Sequence, residues 1–125
     1  MAKEKYTCEF LVRSSPGILY NFLTTPSGLT QWFCDTCDVT EDEYIFGWDG
    51  NEQEATREEF EEDQMVQYKW DDADEGEFFR FEISKSEISN DTVLTITDFA
   101  DADEIEDQTL LWESQIENLA QQIGA

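Results

Sequence analysis

Histidine is absent from this 125-residue chain, and cationic side chains are scarce. Without His, the usual acid–base group at neutral pH and the commonest nitrogen ligand for metals are missing, so Ser–His and Cys–His nucleophile pairs are excluded. Seven Lys and Arg stand against 31 Asp and Glu, which gives a formal net charge of -24. Such a chain repels phosphate backbones and anionic membrane surfaces, so we expect it to bind no nucleic acid.

Long apolar runs and an even cysteine count are lacking as well. No run approaches the roughly 18 apolar residues of a membrane span. Residues 1–5 pass straight into polar–apolar alternation, so we expect no signal peptide. Three Cys argue against a secreted disulfide framework and favour a reducing compartment. The sequence therefore predicts a cytoplasmic protein without membrane insertion.

Aromatic side chains, by contrast, are plentiful: nine Phe, four Trp and four Tyr. With 39% hydrophobic residues, a chain of this length can bury roughly two-thirds of its unfolded surface. We expect a single domain over residues 1–125. The acid excess is interpreted as an aid to solubility or an adaptation to a salty cytoplasm, with an acidic recognition face or mimicry of nucleic acid as alternatives.

Two short Pro-started helices run back to back early in the chain. Ser15 and Thr25 are suited to cap them, because each precedes a Pro at the first helical position, where a missing N–H costs nothing. The second helix ends in Trp32-Phe33. Helical spacing predicts that the first helix buries Ile18, Leu19, Phe22 and Leu23.

Alternating apolar residues predict strands on both sides of these helices. Asp49-Gly50 predicts a hairpin with positive φ, and Asn90-Asp91 a further turn. Early acids and a closing Gly124 bound a long final helix. The strands are expected at 5–13, 35–40, 43–48, 52–61, 65–70, 77–85 and 92–99, and the last helix at 103–123.

The predicted α+β order of elements is a strand, two short helices, an antiparallel sheet of about six strands and a long C-terminal helix. This order resembles the helix-grip fold of the START-like (SRPBCC) superfamily. Within it the chain is similar to bacterial homologues of the activator of the ninety-kilodalton heat-shock protein ATPase. The likeness rests on Thr25-Pro26, Leu29, Trp32-Phe33, Trp48-Asp49-Gly50, the strand 94–99 and Trp112.

The resemblance implies a long helix packed in the concave face of the sheet, with a cavity between them that in relatives takes lipids, sterols, polyketides or other apolar ligands. Our leading hypothesis is a non-enzymatic binding module for a small hydrophobic or amphipathic ligand, without cofactor or metal. The rings and aliphatic chain expected to line its cavity are Trp32, Phe33, Phe46, Trp48, Tyr68, Trp70, Phe79, Phe81, Trp112 and Ile116.

Two other functions stay open. One is a protein-binding, co-chaperone-like module that uses an acidic face. The other is a cyclase-like or hydrolase-like enzyme, which without His would need a buried acid of raised pKa, with Glu82, Asp98 and Glu113 as the acids nearest apolar residues.

Cys34 and Cys37 have the spacing of a redox pair or half a zinc site, but they follow a helix C-terminus, where the dipole does not favour a thiolate. We interpret them as structural thiols and leave a reversible disulfide or a metal site open. The acids between 98 and 104 lack the Gly and distant Glu of a calcium loop and are interpreted as solvated. The cations with the best chance of anchoring a ligand carboxylate are Arg13, Arg57, Lys69 and Arg80, although surface pairing is the simpler expectation for each.

Overall fold

Seven antiparallel strands form one sheet in the computed structural model, which describes residues 3–89 and 91–124. The predicted α+β helix-grip architecture is confirmed: one strand precedes the two short helices and six follow them. Asn90 of the predicted turn lies outside the described residues. The elements in chain order are β1 (Glu4–Val12), α1 (Pro16–Thr24), α2 (Pro26–Leu29), β2 (Thr36–Thr40), β3 (Glu43–Trp48), β4 (Asn51–Glu61), β5 (Met65–Trp70), β6 (Phe79–Lys85), β7 (Thr92–Ala100), a 3-10 turn (Ala102–Glu104) and α3 (Ile105–Ile123).

The strand order is β1-β7-β6-β5-β4-β3-β2, so the first two strands of the chain are the two edges of the sheet. The helices α1 and α2 carry the chain from one edge to the other. All later strands follow as hairpins, and β7 returns to pair with β1. The chain turns between β3 and β4 at Asp49 and Gly50, with φ of 48° and 83°, as the Asp-Gly dipeptide predicted.

Both predicted helix caps are present. Ser15 Oγ accepts a hydrogen bond of 3.3 Å from Ile18 N, and Thr25 Oγ1 accepts one of 3.1 Å from Gly28 N. These bonds satisfy N–H groups that the helices leave without an internal partner. Each helix therefore begins where its sequence prescribes.

The packing of α2 on α1 depends on the missing side chain of Gly28. A Cβ atom built at Gly28 would lie 2.5 Å from the Asn21 carbonyl oxygen and 2.6 Å from Phe22 Cα, both backbone atoms. The Trp32 indole then bridges back over the contact, because its Nε1 donates a 2.8 Å hydrogen bond to the Phe22 carbonyl. The close approach of α2 to α1 thus determines the positions of Trp32 and Phe33, which follow α2.

The core lies between the helices and one face of the sheet, and two tyrosines join the layers. Tyr68 Oη donates a 2.7 Å hydrogen bond to the Leu23 carbonyl, and Tyr44 Oη one of 2.8 Å to the Thr24 carbonyl. Both rings are buried, so the hydroxyls satisfy carbonyls at the C-terminus of α1 that would otherwise have no partner.

One expected burial is wrong. Ile18 is 51% exposed, and Tyr20 takes its place in the buried stripe of α1, beside Leu19 and Leu23. The tyrosine hydrogen bonds to the end of α1 orient the helix in this way. The exposed character expected of β4 is observed, since Ala55 is its one buried residue.

We expect Gly28→Ala to lower the free energy of unfolding by about 1–3 kcal/mol, because backbone atoms must move to admit the methyl group. Gly17→Ala is the matched control: its Cβ would meet Asp63 Oδ1 at 3.6 Å, an ordinary contact, and removing a helical glycine should gain about 0.5–1 kcal/mol. Urea unfolding of both variants measures the difference, and equal stability of the two would contradict the close approach of α1 and α2.

Candidate functional site

A cleft of about 430 Å³ lies between one face of α3 and residues of strands β3 to β7. Gln108, Leu111, Trp112 and Gln115 share this face because their spacing of three, four and seven residues is helical. We call this space the aromatic cleft. It is lined by Phe33, Trp48, Gln53, Trp70, Phe79, Asp98, Gln108, Leu111, Trp112 and Gln115.

Phe33 joins three parts of the chain at the cleft. Its ring stacks on Trp112 of α3, with centroids 6.2 Å apart and planes 13° apart, and meets Trp48 of β3 edge-on at 5.5 Å. Trp48 Nε1 donates a 2.7 Å hydrogen bond to the Phe33 carbonyl, which fixes the indole. The cleft wall is therefore held by both packing and a directed bond.

The remaining rings come from the adjoining ends of two strands. Trp70 ends β5 and Phe79 begins β6, and their ring centroids are 5.0 Å apart. Trp70 also lies 6.1 Å from Trp48, at an interplanar angle of 59°. Trp48 and Trp70 are half-buried, whereas Phe33, Phe79 and Trp112 are buried. The two half-buried indoles are thus the rings most accessible to a ligand.

The structure divides the ten residues predicted to line a cavity into two groups. Five line the cleft: Phe33, Trp48, Trp70, Phe79 and Trp112. The other five, which are buried but are not among the cleft-lining residues, are Trp32, Phe46, Tyr68, Phe81 and Ile116. Among the strand residues, alternation gives both groups the same face and could not separate them; Trp48, Trp70 and Phe79 line the cleft because they lie at strand ends.

The sequence reasoning missed the amides and Leu111 in the cleft wall. Gln108, Leu111 and Gln115 are four, one and three residues from Trp112, so the helical face that carries the tryptophan was their available signal. Gln53 has no comparable signal, because it lies on a strand with little apolar alternation.

Asp98 is the ionisable residue of the cleft wall. Its Oδ2 accepts hydrogen bonds from Tyr6 Oη at 3.2 Å and Trp112 Nε1 at 3.1 Å, and its Oδ1 accepts one from Phe99 N at 2.8 Å. All three donors are neutral. Burial raises the pKa of Asp98, and burial together with the Asp98 charge raises the pKa of Tyr6.

The other two acids considered for catalysis lie outside the cleft. Glu82 is 3.8 Å from the Arg80 guanidinium, and Glu113 is exposed on α3. Asp98 alone of the three lines the cleft.

The four cations that were candidates for a ligand anchor do not line the cleft. Arg57 pairs with Asp42 at 2.8 Å, and Arg80 bonds Gln67 beside two glutamates. Lys69 donates to the Asp74 and Glu77 carbonyls, and Arg13 is exposed.

The three cysteines are free thiols in this structure. The Cys8 thiol donates to Thr109 Oγ1 at 3.9 Å, and the buried Cys34 thiol to the Leu29 carbonyl at 3.7 Å. A hydrogen bond with Cys37, and then burial, raise the pKa of Cys34. Near the start of α3 the carboxylates that lie within 4.8 Å of one another are those of Asp101, Asp103 and Glu104, and the last two are exposed.

The fold agrees with a comparison against protein families. The model of the START-like superfamily domain matches residues 1–125. The chain belongs to the START-like superfamily. No curated protein matches its sequence. No helix among the described residues is both long enough and apolar enough to span a membrane.

Several solved structures of bacterial proteins are similar to this START-like chain. It is 33% identical to BfR322 from Bacteroides fragilis, over 98% of this chain and 92% of that one, with a TM-score of 0.70. The Aha1 dimer from Colwellia psychrerythraea shares 17% identity over 96% of both chains, with a TM-score of 0.81. Protein MLL2253 from Mesorhizobium loti shares 16% identity over 94% of this chain and 95% of that one, with a TM-score of 0.76. The last two likenesses concern the fold.

The raised pKa of Asp98 predicts how stability depends on pH. Because burial makes the folded protein hold the Asp98 proton more tightly than the unfolded chain does, protonation favours folding. The free energy of unfolding of the wild type should therefore rise relative to Asp98→Asn as the pH falls from about 7 through the folded-state pKa, with the gain complete below about 3.9.

Urea unfolding of the two proteins at a series of pH values measures this difference. Lys3, Tyr6 and Cys8, the charged or titratable neighbours of Asp98, are the same in both proteins, so most of their contribution cancels. A relative loss of wild-type stability on acidification would show that Asp98 is stabilised as the carboxylate instead.

Proposed function

We propose that this START-like domain is a non-enzymatic binding module whose aromatic cleft takes a small hydrophobic or amphipathic ligand. The observation that carries the proposal is the cleft itself: about 430 Å³, with five aromatic rings in its wall. Sites for small molecules are usually concave, mostly apolar and about 300–1,000 Å³ in volume. The size and the lining therefore suit a ligand of a few fused rings or a medium alkyl chain.

The polar groups in the wall support an amphipathic ligand over a pure hydrocarbon. Gln53, Gln108 and Gln115 bring amides to the cleft, and Asp98 brings a carboxylate. A few such groups among apolar walls orient a ligand, because each prefers a partner to an unpaired position in the complex. The apolar part of the ligand would lie against Trp48 and Trp70.

Two neighbouring leucines on α3 allow a matched test. Leu111 and Leu110 have similar exposure, 52% and 56%, but Leu111 lines the cleft and Leu110 does not. The neutral fluorescent probe N-phenyl-1-naphthylamine should bind the wild type and quench its tryptophans by energy transfer. Leu111→Trp should fill the entrance and weaken probe binding at least about tenfold, a loss of about 1.4 kcal/mol.

Leu110→Trp adds the same side chain one position away, so its affinity for the probe should stay within about twofold of the wild type. Unfolding curves of both variants establish that they fold. If the two substitutions weaken the probe equally, or if the wild type does not bind it, the cleft is not the binding site proposed.

A second candidate is a protein-binding, co-chaperone-like module, which the acidic strand β4 favours. Glu52, Glu54 and Glu61 are exposed along it and have no side-chain partner among the described residues. Charge of one sign along a strand would steer a basic protein toward this face. The co-chaperone part of this candidate comes from the resemblance to homologues of the heat-shock ATPase activator, and the Aha1 dimer shares the fold of this chain.

A salt series separates this candidate from ligand binding. A partner held by β4 should be retained from the cytoplasm of the source organism at low salt and released at about 0.5 M NaCl, where charges are screened over a few ångströms. The triple variant Glu52→Gln, Glu54→Gln, Glu61→Gln should lose the partner, whereas Leu111→Trp should keep it. Retention by the triple variant would contradict the role of β4.

A further inference from the structure

We propose that the ligand of the aromatic cleft carries a positively charged group, an ammonium on an apolar body, which lies between the indole rings of Trp48 and Trp70 and the carboxylate of Asp98. The inference rests on the proposed function and specifies the ligand's chemical class. It is carried by three features of the described residues: the charges of the wall, the hydrogen bonds of Asp98, and the arrangement of the rings.

The charges of the wall are of one sign. Among the ten cleft-lining residues, Asp98 alone is ionisable. An anionic ligand, such as a fatty acid or a phosphate ester, would therefore meet a carboxylate and no cation. Two like charges repel more strongly in a partly desolvated site than in water, whereas opposite charges attract more strongly.

The hydrogen bonds of Asp98 do not neutralise its charge, and its cationic neighbour Lys3, which lies outside the cleft wall, is also 3.8 Å from Glu77. Tyr6 Oη, Trp112 Nε1 and Phe99 N hold the carboxylate, but none of these donors carries a charge. Two oxygens offer about four lone-pair positions, of which three are used. A desolvated carboxylate is stabilised by a cationic partner, and a ligand that enters the cleft can supply one.

The rings provide a second attraction for the same group. Trp48 and Trp70 stand 6.1 Å apart at 59° to each other, both half-buried and both in the wall. A cation within about 6 Å of an indole face is attracted by the negative face of the ring, and Trp is the strongest of the aromatic residues in this respect. Angled indoles beside a carboxylate are a suitable site for a primary or quaternary ammonium.

An adjoining space of about 410 Å³ extends the negative potential beyond the cleft. It shares Trp70, Asp98 and Gln108 with the aromatic cleft. The charged residues that line it besides Asp98 are Lys3, Glu77, Asp101 and Glu104, so acids outnumber the one lysine. A ligand cation at Asp98 would therefore lie between the apolar cleft and an acidic approach.

Three probes of equal chain length test the inference: decyltrimethylammonium, decan-1-ol and decanoate, each titrated below its micelle concentration and followed by calorimetry and tryptophan fluorescence. The wild type should bind the ammonium at least about tenfold more tightly than the alcohol, and decanoate more weakly than the alcohol. Asp98→Asn should reduce the preference for the ammonium over the alcohol to less than about threefold.

Two further variants separate the site from general attraction to an acidic protein. Asp38→Asn removes the same charge from an exposed position on the edge strand β2, and it should leave the preference for the ammonium unchanged. Trp70→Leu keeps an apolar wall but removes a ring face, so it should weaken the ammonium more than the alcohol. This variant keeps the inference testable if Asp98→Asn does not fold.

The outcomes distinguish the inference from the function on which it rests. If the alcohol or decanoate binds as tightly as the ammonium, or if Asp98→Asn and Trp70→Leu both keep the preference, the inference is overturned and the binding module stands. If none of the three probes binds and N-phenyl-1-naphthylamine does not bind either, both proposals fail.

Discussion

The stack of Phe33 on Trp112 is the contact on which the geometry of the cleft depends, because it joins the early helix pair to the last helix of the chain. Phe33 reaches this position through the tight packing of α2 on α1 at Gly28. Trp112 in turn donates to Asp98, and the Phe33 carbonyl accepts the indole of Trp48. This aromatic pair therefore positions the Trp112 and Trp48 sides of the cleft and the Asp98 carboxylate.

The distribution of charge explains how a chain with a net charge of -24 keeps an apolar interior. The acids of β4 and of the start of α3 lie at the surface, where water and salt screen their repulsion. Asp98 departs from this rule. It is half-buried among rings, and burial raises its pKa. Departures from a consistent pattern are where function is expected, since each carries a cost in stability.

Much of the fold could be predicted from local signals. Caps at Ser15 and Thr25, the Asp49-Gly50 turn and strand alternation are short-range features, so the strands, α1 and α3 follow from the sequence to within one or two residues. The second helix was predicted to end in Trp32-Phe33 but ends at Leu29, because the chain passes into turns there. β4 has almost no apolar alternation, yet its place between two alternating segments at hairpin distance predicts it.

The site was less accessible to prediction, because its features depend on distant residues. Phe46 and Trp48 alternate in the same way on β3, but one is fully buried and the other lines the cleft. Likewise, the environment of Asp98 comes from Tyr6 and Trp112, 92 and 14 residues away. Only the tertiary packing decides which ring belongs to the hydrophobic core and which lines the cleft.

The existence of the cleft follows from the limited reach of α3. Its 19 residues span about 28 Å, and the helix packs on β1 and β7 at one side of the sheet. Trp48 ends β3, next to the opposite edge strand, and Trp70 ends β5, the middle strand of the sheet, while α1 packs on β5 and β6. Neither helix fully covers the indoles at these two strand ends, which are half-buried. The two indoles therefore stay accessible to a ligand. Asp98 of β7 lies in the same cleft wall, which contains no cation. The geometry that leaves room for a ligand thus also places a negative charge beside it.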